Sequence, residues 1–346
     1  MRRYLPVFVL FILAPLVAEV LFGATPISRL GGLVVVAPLY GGGAVLIREL
    51  ARRHGTGWSR IALLGAAYAI LEEGLAIQSM FNPDLFNAGL LGGRWLGVNW
   101  VWSEWTLGYH IVWSIGIPIL LAELLFPARR AQPWLGRTGV AIAGVIYAIS
   151  ALALAAIFRL VITPDFCALA PLLIGAALVA VALVALALLW PARPAASTSP
   201  ESVRDAPSPW LVGLVAFLAA GAWFVLLGLP DGLRTSALVL APMLAEVALV
   251  AVVVALLVRW SAPGRRWTDM HSLALAGGAL LVSMLFGFFA VTAGNRVDQM
   301  GQGVASVVAV ILLAGFAWRL QQRSRGVSHR LPLGDARSGQ GDKVTR

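Results

Sequence analysis

The stretch WSRIALLGAAYAILEEGLAIQSMF, residues 58–81, is apolar over most of its length but carries Glu72 and Glu73 side by side in its interior. A helix of about 20 residues crosses the apolar core of a bilayer, so this stretch is long enough to span a membrane. The whole chain of 346 residues is 60% hydrophobic and 12% charged, with a mean hydropathy of +0.86. Such a composition predicts an integral membrane protein, an all-α, polytopic bundle of transmembrane helices.

About ten apolar runs of this kind occur along the chain, more than one soluble core could bury. The predicted spans are residues 4–22, 31–50, 58–81, 101–126, 139–162, 168–190, 210–229, 234–259, 272–293 and 301–319.

Basic residues alternate between the two sides of this arrangement. Of the 26 Lys and Arg residues, all but five fall in connections on one side, which also holds both termini. Because cytoplasmic loops are rich in Lys and Arg, the N-terminus and the C-terminus are predicted to be cytoplasmic. The strong preference for Arg and Ala is typical of a GC-rich bacterial genome, which favours a bacterial cytoplasmic (inner) membrane. The five residues on the other side are Arg29, Arg94, Arg159, Arg234 and Arg296.

A segment rich in Pro, Ser and Ala divides the predicted spans into six and four. The predicted organisation is a six-helix membrane domain over residues 1–190, a cytoplasmic linker over 191–209, a four-helix membrane domain over 210–319 and a disordered, basic cytoplasmic tail over 320–346.

The net charge of +10 does not indicate a nucleic-acid partner, because the basic residues stand in short blocks between apolar spans. The expected partner is the lipid bilayer. The single cysteine, Cys167, excludes an internal disulfide framework. Glu49 and Glu123 lie near helix ends beside arginines and are interpreted as structural ion pairs.

Depth brings Glu72, Glu73 and His110 together on consecutive antiparallel helices. Glu73 lies eight residues before Phe81, and His110 lies nine residues after Val101. At 1.5 Å per residue, both lie roughly 12–14 Å below the same outer surface. A membrane-embedded site that contains these three residues is therefore predicted.

The polar faces of the two helices agree with this pairing. On the third span, Glu72 shares a face with Tyr68 and Ser79, and Glu73 lies about 100° round the helix, on the flank of that face. Glu72 is therefore expected to face the polar interior more directly than Glu73. The polar positions of the fourth span recur every three to four residues and form one stripe of candidate binding residues around the histidine: Ser103, Thr106, His110 and Ser114.

Two further glutamates stand in a near repeat, APLVAEV at 14–20 and APMLAEV at 241–247. In both copies a proline precedes the glutamate by one turn, which predicts a kinked helix with an inward carboxylate. Glu19 and Glu246 are candidate binding residues, although the sequence does not decide whether they join the site of Glu72. The triplet GGG at 41–43 favours close helix packing over local unwinding.

The chemistry of the site follows from the cost of charge in the membrane, roughly 2.5–3.5 kcal/mol for each ionised side chain at a helix centre. Two adjacent carboxyls resist joint ionisation, so one proton shared among Glu72, Glu73 and His110 would relieve this cost. Such a group can act as a general base beside a positioned imidazole. No further histidine lies at this depth, so neither a metal nor another cofactor is expected. Alternatively, the same residues only hold the bundle together through hydrogen bonds.

A Glu-Glu pair in one span and a histidine in the next resembles the CAAX-protease and bacteriocin-processing (CPBP) group of intramembrane glutamate proteases. The resemblance covers Glu72, Glu73 and His110 and implies that a glutamate-activated water attacks a peptide carbonyl. Ile77 stands where that group has Arg, and Thr106 stands where it has Phe. The stretches APLVAEVLFGATP, EEGL and SMFNP are similar to a group of uncharacterised bacterial multi-pass membrane proteins, which implies no activity.

Three classes of function are compatible with these features. The first is an intramembrane, metal-independent hydrolase that acts on a membrane-embedded peptide or a lipid-like substrate. The second is a transporter, a permease or a protein that binds a lipid or small molecule, and the third is a non-catalytic scaffold. The alignment of polar residues favours a site over a scaffold.

Overall fold

The computed structural model describes residues 3–55, 57–189, 204–227 and 237–328, and within these ranges the chain is almost entirely helical. Eight of the described helices are long and apolar enough to cross a membrane, and α1 is apolar but shorter. The prediction of an all-α, polytopic helix bundle is confirmed. In chain order the helices are α1 (Leu5–Val20), α2 (Leu33–Arg53), α3 (Trp58–Ala69, continued by Ile70–Ala76), α4 (Trp100–Leu125), α5 (Arg137–Ile162), α6 (Ala170–Leu189), α7 (Pro209–Leu227), α8 (Leu240–Trp260), α9 (Asp269–Val291) and α10 (Arg296–Ser328).

Short elements fill the described connections. Two-residue strands form an antiparallel pair, β1 (Arg94–Trp95) with β2 (Val98–Asn99), and a parallel pair, β3 (Arg204–Asp205) with β4 (Arg265–Arg266). Short 3-10 turns cover Ile27–Gly32, Leu85–Leu90, Pro127–Arg129 and Ala237–Val239.

Several predicted boundaries differ from the structure by a few residues, and two of these differences concern the candidate site and the tail. The third span was predicted to reach residue 81, but α3 ends at Ala76 because Gln78 takes a left-handed conformation with φ of 63°. The tail was predicted to be disordered from residue 320, whereas α10 continues to Ser328. Residues 191–203 of the predicted linker and the tail from residue 329 lie outside the described residues, so the division into two domains stays a prediction.

The three glycines of α2 each face a different neighbour. A Cβ atom at Gly41 would lie 2.4 Å from the carbonyl oxygen of Phe11 in α1, and one at Gly42 would lie 3.5 Å from the backbone nitrogen of Tyr147 in α5. A Cβ atom at Gly43 would lie 2.6 Å from the Tyr68 ring in α3. The prediction that the triplet serves close packing is confirmed, and α2 forms the centre of the first six helices.

Aromatic side chains join the first six helices to the last four. The rings of Trp113 in α4 and Phe224 in α7 lie 5.2 Å apart, and Trp113 Nε1 donates to the carbonyl oxygen of Ala279 in α9 at 3.2 Å. α7 and α9 pack so closely that a Cβ atom at Gly278 would lie 2.2 Å from the carbonyl oxygen of Gly213. The described helices therefore form a continuous packed structure around α4.

A buried ion network occupies the end of the bundle that is predicted to face the cytoplasm. Arg48 donates to Glu49 at 2.9 Å and to Glu123 at 3.1 Å, and Arg52 donates to both carboxylate oxygens of Glu123 at 2.7 Å. The Arg48 guanidinium also lies 3.5 Å from the ring centroid of Trp134. Each of these charges has a partner, as the structural interpretation of Glu49 and Glu123 predicts.

Gly41→Ala is expected to destabilise the protein by about 1–3 kcal/mol, because the added methyl group collides with the α1 backbone. Thermal unfolding of the purified protein in detergent measures the effect. Gly144→Ala in α5 is the matched control, since a Cβ atom there meets nothing within 4 Å. Equal melting temperatures for the two variants would contradict the packing at Gly41.

Glu123→Gln is expected to cost about 3–5 kcal/mol, because it removes the carboxylate that the buried side chains of Arg48 and Arg52 share. The same unfolding measurement applies. Asp269→Asn removes the carboxylate from an exposed pair with Arg130 and is expected to cost about 0–1 kcal/mol. A small loss for Glu123→Gln would show that the buried network does not stabilise the fold.

Candidate functional site

The candidate site lies where α3 and α4 widen into π-helical turns. Glu72 and Glu73 belong to the turn Ile70–Ala76, and His110 begins the turn His110–Gly116. In α3 the wider turn is closed by the Ile77 N–H, which donates to the carbonyl oxygen of Glu72 at 2.8 Å. Single π-helical turns are frequent at functional sites because they redirect the side chains of a helix.

The structure brings Glu72, Glu73 and His110 together, as the depth argument predicts. His110 Nε2 lies 3.1 Å from Glu73 Oε1 in a hydrogen bond. On the other side of the ring, Nδ1 is hydrogen-bonded to Ser114 Oγ at 3.0 Å and lies 3.5 Å from Glu72 Oε2. All four side chains are buried, with Glu72 and His110 each 3% exposed. The imidazole is thus held between two carboxylates.

The expected orientation of the two glutamate side chains differs from the orientation in the structure. Glu72 was expected to face the polar interior more directly, but Glu73 makes the direct hydrogen bond to His110. The ring lies between the two adjacent side chains and so receives one carboxylate on each nitrogen side. An ideal helical wheel did not predict this arrangement, because it contains no π-helical turn.

Ser79 connects Glu73 to the outer loop. Its hydroxyl donates to Glu73 Oε2 and accepts a hydrogen bond from Trp102 Nε1 at 2.9 Å. The left-handed turn at Gln78 brings this serine back toward the helix it has just left. Ser79 therefore contacts a carboxylate that holds the imidazole, and Ser114 contacts the imidazole itself.

Four of the five tyrosines surround this group. The rings of Tyr40, Tyr68 and Tyr109 lie 6.1, 5.7 and 5.7 Å from the His110 ring, and the Tyr147 ring lies 5.8 Å from that of Tyr68. Of these residues, only Tyr68 was predicted from the sequence. The position of Tyr40 and Tyr147 in the middle of apolar spans could have identified them as site residues, because tyrosine in membrane proteins usually lies at the interface.

Of the two glutamates in the near repeat, Glu19 lies beside the site. Its carboxylate accepts a hydrogen bond from Thr25 Oγ1 at 2.6 Å and interacts electrostatically with Tyr40, His110 and Glu73. Glu246 is buried in α8, which packs on α7, and does not belong to the compact group of Glu72, Glu73 and His110. The repeat therefore does not give the two glutamates the same surroundings.

Two members of the polar stripe on α4 serve their own helix. Ser103 Oγ donates to the carbonyl oxygen of Asn99 at 2.7 Å, and Thr106 Oγ1 donates to that of Trp102 at 2.9 Å. Hydroxyl side chains in apolar helices commonly bind the carbonyl one turn earlier. Their spacing predicted a shared face with His110, but their hydrogen bonds do not reach it.

Glu72, Glu73 and His110 could also offer one ligand atom each to a metal ion, because these atoms lie within 4.8 Å of one another. Binding of a metal by the imidazole would replace one of its present hydrogen bonds, to Glu73 or to Ser114. The arrangement of the ring between two carboxylates fits a shared proton directly. The absence of a metal or other cofactor stays a prediction.

Comparison with known proteins gives one match. The model of a family described as an uncharacterized membrane protein family matches residues 8–323. No curated protein and no solved structure matches the chain.

Dicyclohexylcarbodiimide, an apolar reagent for protonated carboxyls, is expected to modify Glu72 in preference to Glu123. Glu72 has no arginine partner in the described structure, whereas Glu123 forms ion pairs with Arg48 and Arg52. Mass spectrometry of proteolytic peptides measures the labelled fraction at each residue. Labelling of Glu123 that equals or exceeds that of Glu72 would contradict a shared proton at the site.

Proposed function

The chain belongs to this uncharacterised family of membrane proteins, and we propose that it is an intramembrane hydrolase in which Glu72 activates a water molecule. The enzyme resides in the cytoplasmic membrane of a bacterium, with its site in the outer half. Its substrate is a membrane-embedded peptide or a lipid-like molecule with an amide or ester carbonyl. The reaction needs no metal.

One observation carries the proposal. Glu72 Oε2 is buried and has no hydrogen-bond partner, although it lies 3.5 Å from an imidazole whose two nitrogens are already bonded. Buried polar atoms are seldom left without a partner in the protein or an ordered water. A free carboxylate oxygen beside a fixed imidazole is instead the geometry that general base chemistry requires.

The reaction is a hydrolysis in which Glu72 takes a proton from water. The water oxygen forms a bond to the carbonyl carbon, and the carbonyl π electrons move to the oxygen. When the tetrahedral intermediate collapses, the C–N or C–O bond breaks and the leaving group takes the proton back from the Glu72 and His110 pair. No other reactant is needed, because water supplies both the hydroxyl group and the proton of the products.

Glu73, Ser79 and Ser114 position the imidazole for this exchange. Glu73 holds Nε2 and is held in turn by Ser79, and Ser114 holds Nδ1 on the side of Glu72. A positioned group that exchanges a proton in the transition state contributes about 10²–10⁴-fold to a rate. Glu73 is thus a positioning residue, and Glu72 is the base.

The alternatives explain fewer of these contacts. A transporter needs a polar path between the two surfaces, but the buried positions of α4 between His110 and Glu123 include Ile115, Ile119 and Ala122. A scaffold gives no role to an unpaired carboxylate oxygen that lies 3.5 Å from an imidazole. Both observations favour a site that binds a ligand, as hydrolysis requires.

Glu72→Gln is expected to lower hydrolysis at least about 100-fold, because the amide cannot accept the proton of water. The purified full chain in detergent is assayed with self-quenched fluorescent casein, an unstructured polypeptide, and with fluorescein dibutyrate, an ester. Addition of EDTA is expected to leave the wild-type rate unchanged.

Glu246→Gln is the matched control, since Glu246 is a buried glutamate outside the group around His110. It should hydrolyse the preferred probe at the wild-type rate. Equal rates for the wild type and Glu72→Gln, including no turnover of either probe, would argue against a hydrolase. Loss of activity with EDTA would show that a metal takes part.

A further inference from the structure

Three polar atoms without a hydrogen-bond partner lie in one region of the described structure. They are Glu72 Oε2, the Tyr68 hydroxyl and the Tyr147 hydroxyl, and each atom is buried. Tyr68 and Glu72 are 2% and 3% exposed. Because unpaired buried polar atoms are rare and costly, their coincidence at one place requires an explanation.

The three atoms come from two helices, Tyr68 and Glu72 from α3 and Tyr147 from α5, and the two tyrosine rings meet at Gly43 of α2. The rings of Tyr68 in α3 and Tyr147 in α5 lie 5.8 Å apart, and each tyrosine interacts electrostatically with Glu72. A Cβ atom at Gly43 would lie 2.6 Å from the Tyr68 ring and 3.3 Å from the Tyr147 ring. The glycine in α2 therefore permits both rings to reach the same carboxylate.

Other tyrosines at the site have a different role. The Tyr109 hydroxyl, on the neighbouring side of His110, donates to the carbonyl oxygen of Ala18 at 2.5 Å and so joins α4 to α1. The hydroxyls of Tyr68 and Tyr147 have no such backbone partner, and both interact instead with the Glu72 carboxylate. Their hydroxyl groups are therefore available to a guest molecule.

We infer that Tyr68 and Tyr147 form a subsite for the carbonyl oxygen of an amide or ester, with Glu72 Oε2 beside it as acceptor for the attacking water. The two O–H groups match the two lone pairs of a carbonyl oxygen, and the carboxylate oxygen matches a water proton. This inference rests on the proposed hydrolysis for its chemistry. Both tyrosines would be catalytic residues, because they touch the oxygen on which negative charge develops.

The position of Tyr147 indicates how such a substrate arrives. Its hydroxyl oxygen is buried, but its side chain as a whole is only partly buried, on a helix whose neighbouring residues Ile146 and Ile149 are exposed. In a membrane this surface faces lipid. The carbonyl would therefore enter from the bilayer, past Tyr147, as part of an apolar chain.

A stability comparison tests the subsite without any substrate. Tyr109→Phe is expected to lower the melting temperature, because it removes a hydrogen bond to Ala18. Tyr68→Phe is expected to leave it unchanged or to raise it, because the lost hydroxyl has no protein partner. A loss for Tyr68→Phe as large as that for Tyr109→Phe would show a structural partner and overturn the inference.

Binding of a long-chain alkyl trifluoromethyl ketone, whose hydrate has the tetrahedral shape of the intermediate, provides the second test. Fluorine NMR of the full chain in detergent should show wild-type binding that weakens at least tenfold in Tyr68→Phe and Tyr147→Phe. Tyr109→Phe should bind as the wild type does. Equal binding by all variants, or no binding by the wild type, would mean that the three atoms hold water only.

The values of kcat and KM, measured with whichever of the two probes the wild type hydrolyses faster, separate this inference from the proposed function. Loss of one oxyanion donor typically lowers kcat about 10²–10³-fold, with KM little changed. If hydrolysis depends on Glu72 but both Tyr→Phe variants have the wild-type kcat, the hydrolase stands and the subsite is wrong. If the ketone binds through the tyrosines but Glu72→Gln hydrolyses as the wild type does, the subsite stands and the hydrolase is wrong.

Discussion

The contact between His110 and Glu73 is the interaction on which the arrangement of the first six helices depends. It joins α3 to α4 at 3.1 Å in a region where water cannot replace a lost partner. Further polar groups of this region extend the pair, since Ser79 binds Glu73, Trp102 binds Ser79 and Ser114 binds His110. The hydrogen bonds of the site and the packing of α3 against α4 therefore stabilise each other.

Small residues make this arrangement possible. Gly41 and Gly43 bring α2 against the α1 backbone and against the ring of Tyr68, so that the tyrosine reaches Glu72. With alanine at either position, the neighbouring helix or ring would have to move. In the membrane, where apolar side chains gain little by leaving lipid, such close contacts are a main source of helix association. The close packing of α2 thus also fixes the position of the tyrosine beside Glu72.

The sequence predicts the helices and the central group of the site, but not its complete surroundings. Depth alone predicts that Glu73 and His110 meet, because a helix rises by a constant distance per residue. The wheel of an ideal helix misassigns Glu73, since it contains no π-helical turn. Spacing cannot reveal that Ser103 and Thr106 bind their own backbone. Tyr147 is missed because its partner residues lie far away along the chain.

The two buried polar clusters of the structure show how a structural cluster differs from a chemical one. Glu123 is bound by two arginines, and Glu49 by Arg48 and by the backbone of Trp134 and Leu135. The cluster around His110 has similar burial but leaves Glu72 Oε2 unpaired. Burial alone cannot explain this difference, because Glu123 and Glu72 are 5% and 3% exposed. The proposed hydrolysis gives this acceptor a partner, the attacking water, which the carboxylates bound by arginines do not need.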